Sequence, residues 1–141
     1  MKKALIDTNI ILDNMAKREP FSDDANAIFS LITQDQIVGF TTASSITDIH
    51  FLLSKAIGSE PSINAIENLL DILEVISVTK DDCLKALKFG IKDFEDALVA
   101  VCADKEDLDF IVTRDVEFLK QPKAITPSEF LSRINEILFD H

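Results

Sequence analysis

The sequence predicts a three-layer α/β/α fold around a parallel sheet of four or five strands. Three observations carry that prediction. Short apolar runs alternate along the chain with longer segments of helical periodicity. Strand-like runs separated by helices pair in parallel, with helices on both faces of the sheet. The chain is 141 residues long and 47% hydrophobic, which suits one domain over residues 1–141 with a sizeable core.

The elements follow in order. Lys3-Ala4-Leu5-Ile6 is a buried-strand run, and helical patterns follow at Asn9–Ala16 and Phe21–Gln34. Ile37–Thr41 reads as a second strand. A helix from Thr42 to Ile57 ends at Gly58, a fitting residue just past a helix C-terminus. Pro61 suits the first turn of the next helix, which runs to Leu73. Glu74–Val78 is strand-like, and Thr79-Lys80-Asp81-Asp82 starts a helix that stops at Gly90. A helix over Asp93–Glu106 precedes the clearest strand, Asp109–Thr113. Ala124-Ile125 is a last short strand, and Thr126-Pro127-Ser128-Glu129 has the form of a capping box with proline at the first helical position.

Composition excludes several functions. No apolar stretch reaches the roughly 18 residues of a membrane span, and Asp7 interrupts the opening apolar run too early for a signal peptide, so the expected location is the cytoplasm. Cys83 and Cys102 lack metal-ligand spacing and read as small buried hydrophobes. With only His50 and His141, a histidine-rich zinc site is excluded, and His50 reads as a packed or capping residue. The three glycines are far apart, so no phosphate-cradling loop exists. The formal charge is −11, from 25 acidic and 14 basic residues. As a bare sum it argues against binding nucleic acid, so the location of the acids decides its meaning.

Two strands end alike. Ala4-Leu5-Ile6 runs into Asp7, and Phe110-Ile111-Val112 runs through Thr113-Arg114 into Asp115. Ligands of parallel α/β sheets bind beyond the carboxyl ends of the strands, which places both acids at the binding edge. A strand-end Asp also caps a following helix, and Asp7 suits that role. Asp93 and Asp96 share one face of the next-to-last helix. Asp93 equally suits a helix start, whereas Asp96 sits beside Ala97, Ala100 and Ala103, small residues that permit close approach. Asp48, within Ser45-Ile46-Thr47-Asp48-Ile49, faces away from the apolar stripe of its helix, and periodicity alone leaves it solvated. Oxygen-only ligands without His or Cys suit Mg²⁺ or Mn²⁺. One or two such ions favour in-line hydrolysis of a phosphodiester by a metal-activated water.

Together these residues resemble the PIN-domain family, and more narrowly its VapC-like toxins. The resemblance runs through Leu5-Ile6-Asp7-Thr8-Asn9, Phe21–Asp24, Ser45–Ile49, Lys92–Leu98, Ile111–Asp115 and Ile125–Leu131, and so covers nearly the whole chain. It implies a five-stranded parallel sheet and a Mg²⁺- or Mn²⁺-dependent endoribonuclease, the toxin of a type II toxin–antitoxin pair. It further implies Asp7, Asp48, Asp96 and Asp115 as catalytic metal ligands, Asp93 at the rim, and Asn9 and Thr113 as supporting polar residues. The family's second acid is usually Glu, and Asp48 shortens that reach by about 1.5 Å. An RNA substrate needs cations, for which Arg114 leads, with Lys85, Lys88 and Lys92 at helical spacing and Lys120 and Lys123 further on. The implied partners are a homodimer mate and a small antitoxin carrying a basic segment. The alternative is a catalytically weak PIN-like module that binds RNA or protein. A haloacid-dehalogenase-like phosphatase fits worse, because Asp7-Thr8-Asn9 lacks the second Asp of Asp-x-Asp.

Overall fold

A computed structural model describes residues 1–139. It contains β1 (Lys3–Ile6), α1 (Thr8–Met15), α2 (Ser22–Thr33), β2 (Val38–Thr42), α3 (Ala43–Ile57), α4 (Ser59–Ile72), β3 (Glu74–Ile76), α5 (Lys80–Leu87), α6 (Phe94–Lys105), β4 (Phe110–Val112), β5 (Ala124–Ile125) and α7 (Pro127–Phe139). The sheet is parallel throughout, in the order β3-β2-β1-β4-β5. The chain builds outward from β1 to β2 and β3, then returns to place β4 on β1's other side. The strand order thus reverses between β1 and β4, where an open α/β sheet leaves a crevice at its carboxyl edge.

Alternate strand residues serve opposite layers. Ala4, Ile6, Val112 and Ile125 pack with Ile10, Ile28, Ile49, Leu69 and Phe130, so α1, α2, α3, α4 and α7 cover one face. Leu5 and Ile111 turn the other way, onto Val99, Ala100 and Ala103 of α6 and onto Phe118. Helix α6 is buried from Ala97 to Ala103 because it lies between the sheet and α5, which meets Ala97, Leu98 and Val101. Phe94, in the first turn of α6, is exposed, while Leu98 and Val101 further along are buried.

The elements start and stop where their polar residues dictate. Thr79 and Asp82 close a reciprocal capping box on α5, with Thr79 N–H donating to Asp82 Oδ2 at 2.9 Å and Asp82 N–H to Thr79 Oγ1 at 3.2 Å. Lys105 reaches the same Asp82 at 2.7 Å and ties α6 to that cap. Gly58, at φ 93°, both ends α3 and begins α4, so α4 starts two residues before Pro61. A Cβ at Gly39 would fall 2.6 Å from Ile32 Cδ1 and 2.7 Å from Leu73 Cδ2, so helices α2 and α4 approach β2 more closely than any other residue allows. Cys102 is buried and Cys83 half-buried, and both are free thiols. His50 is exposed rather than packed, and His141 lies outside the described residues.

Candidate active site

Four separate segments converge on one cleft of about 360 Å³, lined by Asp7, Thr8, Asn9, Asp48, Phe51, Leu52, Asp93, Glu95, Asp96 and Asp115. It lies at the carboxyl edge of β1 and β4. A larger cleft of about 840 Å³ adjoins it, sharing Asp93, Asp96 and Asp115 and adding Gly90, Ile91, Lys92, Glu117, Lys120 and Gln121.

Asp7 is buried and continues the β1–β4 ladder, its N–H donating to Val112 O at 3.0 Å. Its Oδ1 accepts from Thr8 N–H at 2.9 Å, so Asp7 does cap α1, and the same carboxylate enters the cleft. Its Oδ2 accepts from the buried Thr113 hydroxyl at 2.8 Å. Thr113 Oγ1 in turn accepts from Asp115 N–H at 3.1 Å, so one hydroxyl spaces two acids. Asp115 Oδ1 accepts from Glu117 and Phe118 N–H at 2.9 and 3.2 Å, which orients the carboxylate and starts a short 3-10 turn over Phe118–Lys120. Asp93 caps α6, accepting from Asp96 N–H at 3.0 Å, and this sets Asp96 in the first turn.

Burial and like charge act together here. Burial raises Asp7 above its ordinary 3.8, against the hydrogen bonds from Thr113 and Thr8. Asp96 is pushed up to about 7, first by burial and then by the charges of Asp93, Asp7 and Asp115. Glu95 is pushed up to about 8 by burial, by its hydrogen bond with Asp48 and by the charges of Asp48, Asp7 and Asp93. The cleft is thus short of positive charge. Its donors are oxygen alone, which fits a hard divalent cation. Among the described residues no three His, Cys, Asp or Glu side chains stand close enough together to hold a metal ion. Ligation by three carboxylates therefore requires them to close inward.

The cations are arranged differently from the expectation. Arg114 follows β4 but lines neither cleft, donating instead from Nε and Nη2 to Asp13 at 2.9 and 3.1 Å, with the Phe21 ring centroid 3.9 Å from its guanidinium carbon. A buried carboxylate on α1 outcompetes the solvent-facing position. Lys85 pairs with Asp81 at 3.1 Å, and Lys123 with Asp104 at 3.4 Å. The helical spacing of Lys85, Lys88 and Lys92 does not hold, because α5 ends at Leu87. Lys92 alone of the three lines the larger cleft, together with Lys120, which pairs with Glu117 at 2.9 Å.

Sequence reasoning passed over two residues. Glu95 stands between Asp93 and Asp96, in a first turn already rich in acid, yet it lines the cleft beside Asp48. Asp13 interrupts the apolar run Ile10-Ile11-Leu12 and is fully buried. A carboxylate embedded in an apolar helix run was its signal.

A parallel five-stranded sheet whose strand order reverses beside a cleft of carboxylates defines a class of α/β protein with an acidic site at the switch point. The chain belongs to the PIN domain family, whose model matches residues 3–117. It is 27% identical over 142 residues to Ribonuclease VapC1 of Aquifex aeolicus, covering 96% of this chain and 98% of that one. Two solved structures share the fold. VapC20 of Mycobacterium tuberculosis, a sarcin–ricin-loop-cleaving toxin, superposes with a TM-score of 0.69 at 16% identity, over 83% of this chain and 93% of its own. A toxin–antitoxin complex from Klebsiella pneumoniae superposes with a TM-score of 0.67 at 20% identity, over 88% and 97%. Among the described residues no helix is long and apolar enough to cross a membrane.

Proposed function

We propose that residues 1–141 form a single domain that hydrolyses RNA phosphodiester bonds as a divalent-metal-dependent endoribonuclease, the toxin of a type II toxin–antitoxin pair. The observation that carries this is the meeting of Asp7, Asp48, Asp96 and Asp115 in one cleft at the sheet's switch point. The name of the Aquifex relative, a ribonuclease, supports the activity. The toxin–antitoxin complex among the structural neighbours supports the partner. The assigned location is the cytoplasm, where such a partner and substrate meet.

Asp7, Asp96 and Asp115 would hold Mg²⁺ or Mn²⁺, with Asp48 completing the set and Asp93 at the rim. When bound, the ion supplies Lewis-acid polarisation of the phosphodiester and a lowered pKa for the attacking water. Thr113 keeps Asp7 and Asp115 in register through its single hydroxyl. Asn9 lines the mouth of the cleft beside Thr8. Lys92 and Lys120 offer the phosphate contacts along the larger cleft. The small number of free cations there, on a chain of charge −11, implies weak, salt-sensitive encounter with RNA. It also favours an antitoxin that brings a basic segment. A homodimer is the expected assembly.

The test is cleavage of a defined RNA by purified protein with Mg²⁺ or Mn²⁺, against EDTA and Asp96→Asn controls. Loss of cleavage in both controls supports the reading, and equal cleavage by Asp96→Asn overturns the site. A second reading, an RNA- or protein-binding module without turnover, is favoured by the shorter Asp48 and by the open spacing of the carboxylates. Calorimetry separates the two: a folded protein that takes up no Mn²⁺ at millimolar concentration is the binding module.

A further inference from the structure

The Arg18–Asp13–Arg114 cluster lies outside the cleft, and neither the carboxylates nor the fold accounts for it. Asp13 is 0% exposed on a helix turn otherwise filled by Ile10, Ile11 and Leu12. Both of its oxygens are used. Oδ2 accepts from Arg114 Nε at 2.9 Å, while Oδ1 accepts from Arg114 Nη2 at 3.1 Å and from Arg18 Nε at 3.0 Å. Arg18 Nη2 also donates to Asn9 O at 3.0 Å. Ion pairs this buried contribute little net stability compared with an apolar side chain of similar size. Their specific consequence is where they put the guanidinium.

That position matters because Arg114 adjoins Asp115 in sequence and lies near enough to Asp7 to feel its charge. A freed arginine there would have Asp7 and Asp115 within reach, and charge-assisted bonds to carboxylate are among the strongest a side chain makes. It would occupy the acids that a divalent ion needs. We propose that Asp13 is a positioning residue that retains Arg114 outside the cleft and so keeps the acidic site open to a cation. The Phe21 ring, 3.9 Å from the guanidinium carbon, closes the other side of the same seat.

This rests on the metal-site reading, and the experiment separates the two. Mn²⁺ binding is measured by calorimetry on Asp13→Asn, Arg114→Met and the double variant, with melting curves to check folding. Arg114 and Arg18 each keep water contact, at 30% and 40% side-chain exposure, so loss of the Asp13 charge leaves no sealed cation. Asp13→Asn should bind Mn²⁺ about tenfold more weakly, the effect of one added cation beside the carboxylates. The double variant should recover wild-type affinity, because the intruding arginine is gone. A merely structural Asp13 predicts a double variant no better than the single one, and that result overturns the proposal, as does unchanged affinity in Asp13→Asn. A metal-free crystal structure of Asp13→Asn gives a readout independent of metal; Asp13→Ser replaces it if the first does not fold. Arg114 within hydrogen-bond distance of Asp7 or Asp115 supports retention, and Arg114 still at position 13 or in solvent overturns it. Wild-type protein that binds no Mn²⁺ defeats the metal reading, and the crystal structure then decides the role of Asp13 alone.

Discussion

Thr113→Val is the most informative single change at the acidic edge. Valine matches threonine in shape, so the buried site keeps its packing while losing one hydroxyl. That hydroxyl donates to Asp7 at 2.8 Å and accepts from Asp115 N–H at 3.1 Å. A hydrogen bond to an ionised group is worth about 1.5–3 kcal/mol and a neutral one about 1. Once Asp7 is ionised the loss is therefore about 3 kcal/mol, or roughly 10 °C of melting temperature at this chain length. The loss also depends on pH. The folded pKa of Asp7 lies above its ordinary 3.8 because of burial. Its burial thus costs stability that is absent in acid and grows as pH rises from about 4 through the folded pKa. Thr113 opposes that cost only when Asp7 is ionised, so the variant should lose least near pH 4, about 1 kcal/mol. Differential scanning calorimetry over a pH series rising from about 4 measures this. A melting temperature lowered by less than about 3 °C at every pH, or by the same amount throughout the series, refutes the coupling of Thr113 to an ionised Asp7.

Three further outcomes are expected. Mn²⁺ affinity should rise between pH 6 and 8, since Asp96, pushed up to about 7, must release its proton to ligate and Glu95, pushed up to about 8, gains its charge beside the site; isothermal titration in buffers of different ionisation enthalpy counts the protons released, and a flat profile contradicts the charge crowding. Asp82→Ala removes the side-chain half of the α5 capping box, the Thr79 N–H bond to Asp82 Oδ2, together with the Lys105 ion pair, and should cost about 2 kcal/mol in urea denaturation with no change in Mn²⁺ binding. Gly39→Ala should cost about 1–3 kcal/mol, because its Cβ meets Ile32 and Leu73 below 3 Å; an unchanged urea midpoint would show that α2 and α4 yield freely.

Most of the fold was legible because its signals are local. The run Ala4-Leu5-Ile6, the Thr79–Asp82 cap and Gly58 each act within a few residues. Asp7, Asp96 and Asp115 were legible for a related reason: strand ends and a helix start put them at one edge by topology. Asp48 was not readable from periodicity, since its place in the cleft depends on how α3 packs against α1. Glu95 and Arg114 show the same limit from opposite sides. Glu95 enters the cleft because α6 is wedged between the sheet and α5. Arg114 leaves it because Asp13, distant in sequence, offers a buried carboxylate. Tertiary partners of that kind carry no mark at the residue they redirect.

The hydrogen bond between Thr113 and Asp7 spans 106 positions of sequence, and β4 enters the sheet beside β1. Synthesis therefore delivers Asp7 well before Asp115. A chain still on the ribosome holds Asp7, Asp48 and Asp96 without Asp115, and without the strand that fixes their common edge. For the ribonuclease proposed above, the order of assembly is itself a safeguard: the four carboxylates can meet at one edge only after Asp115 has followed the other three.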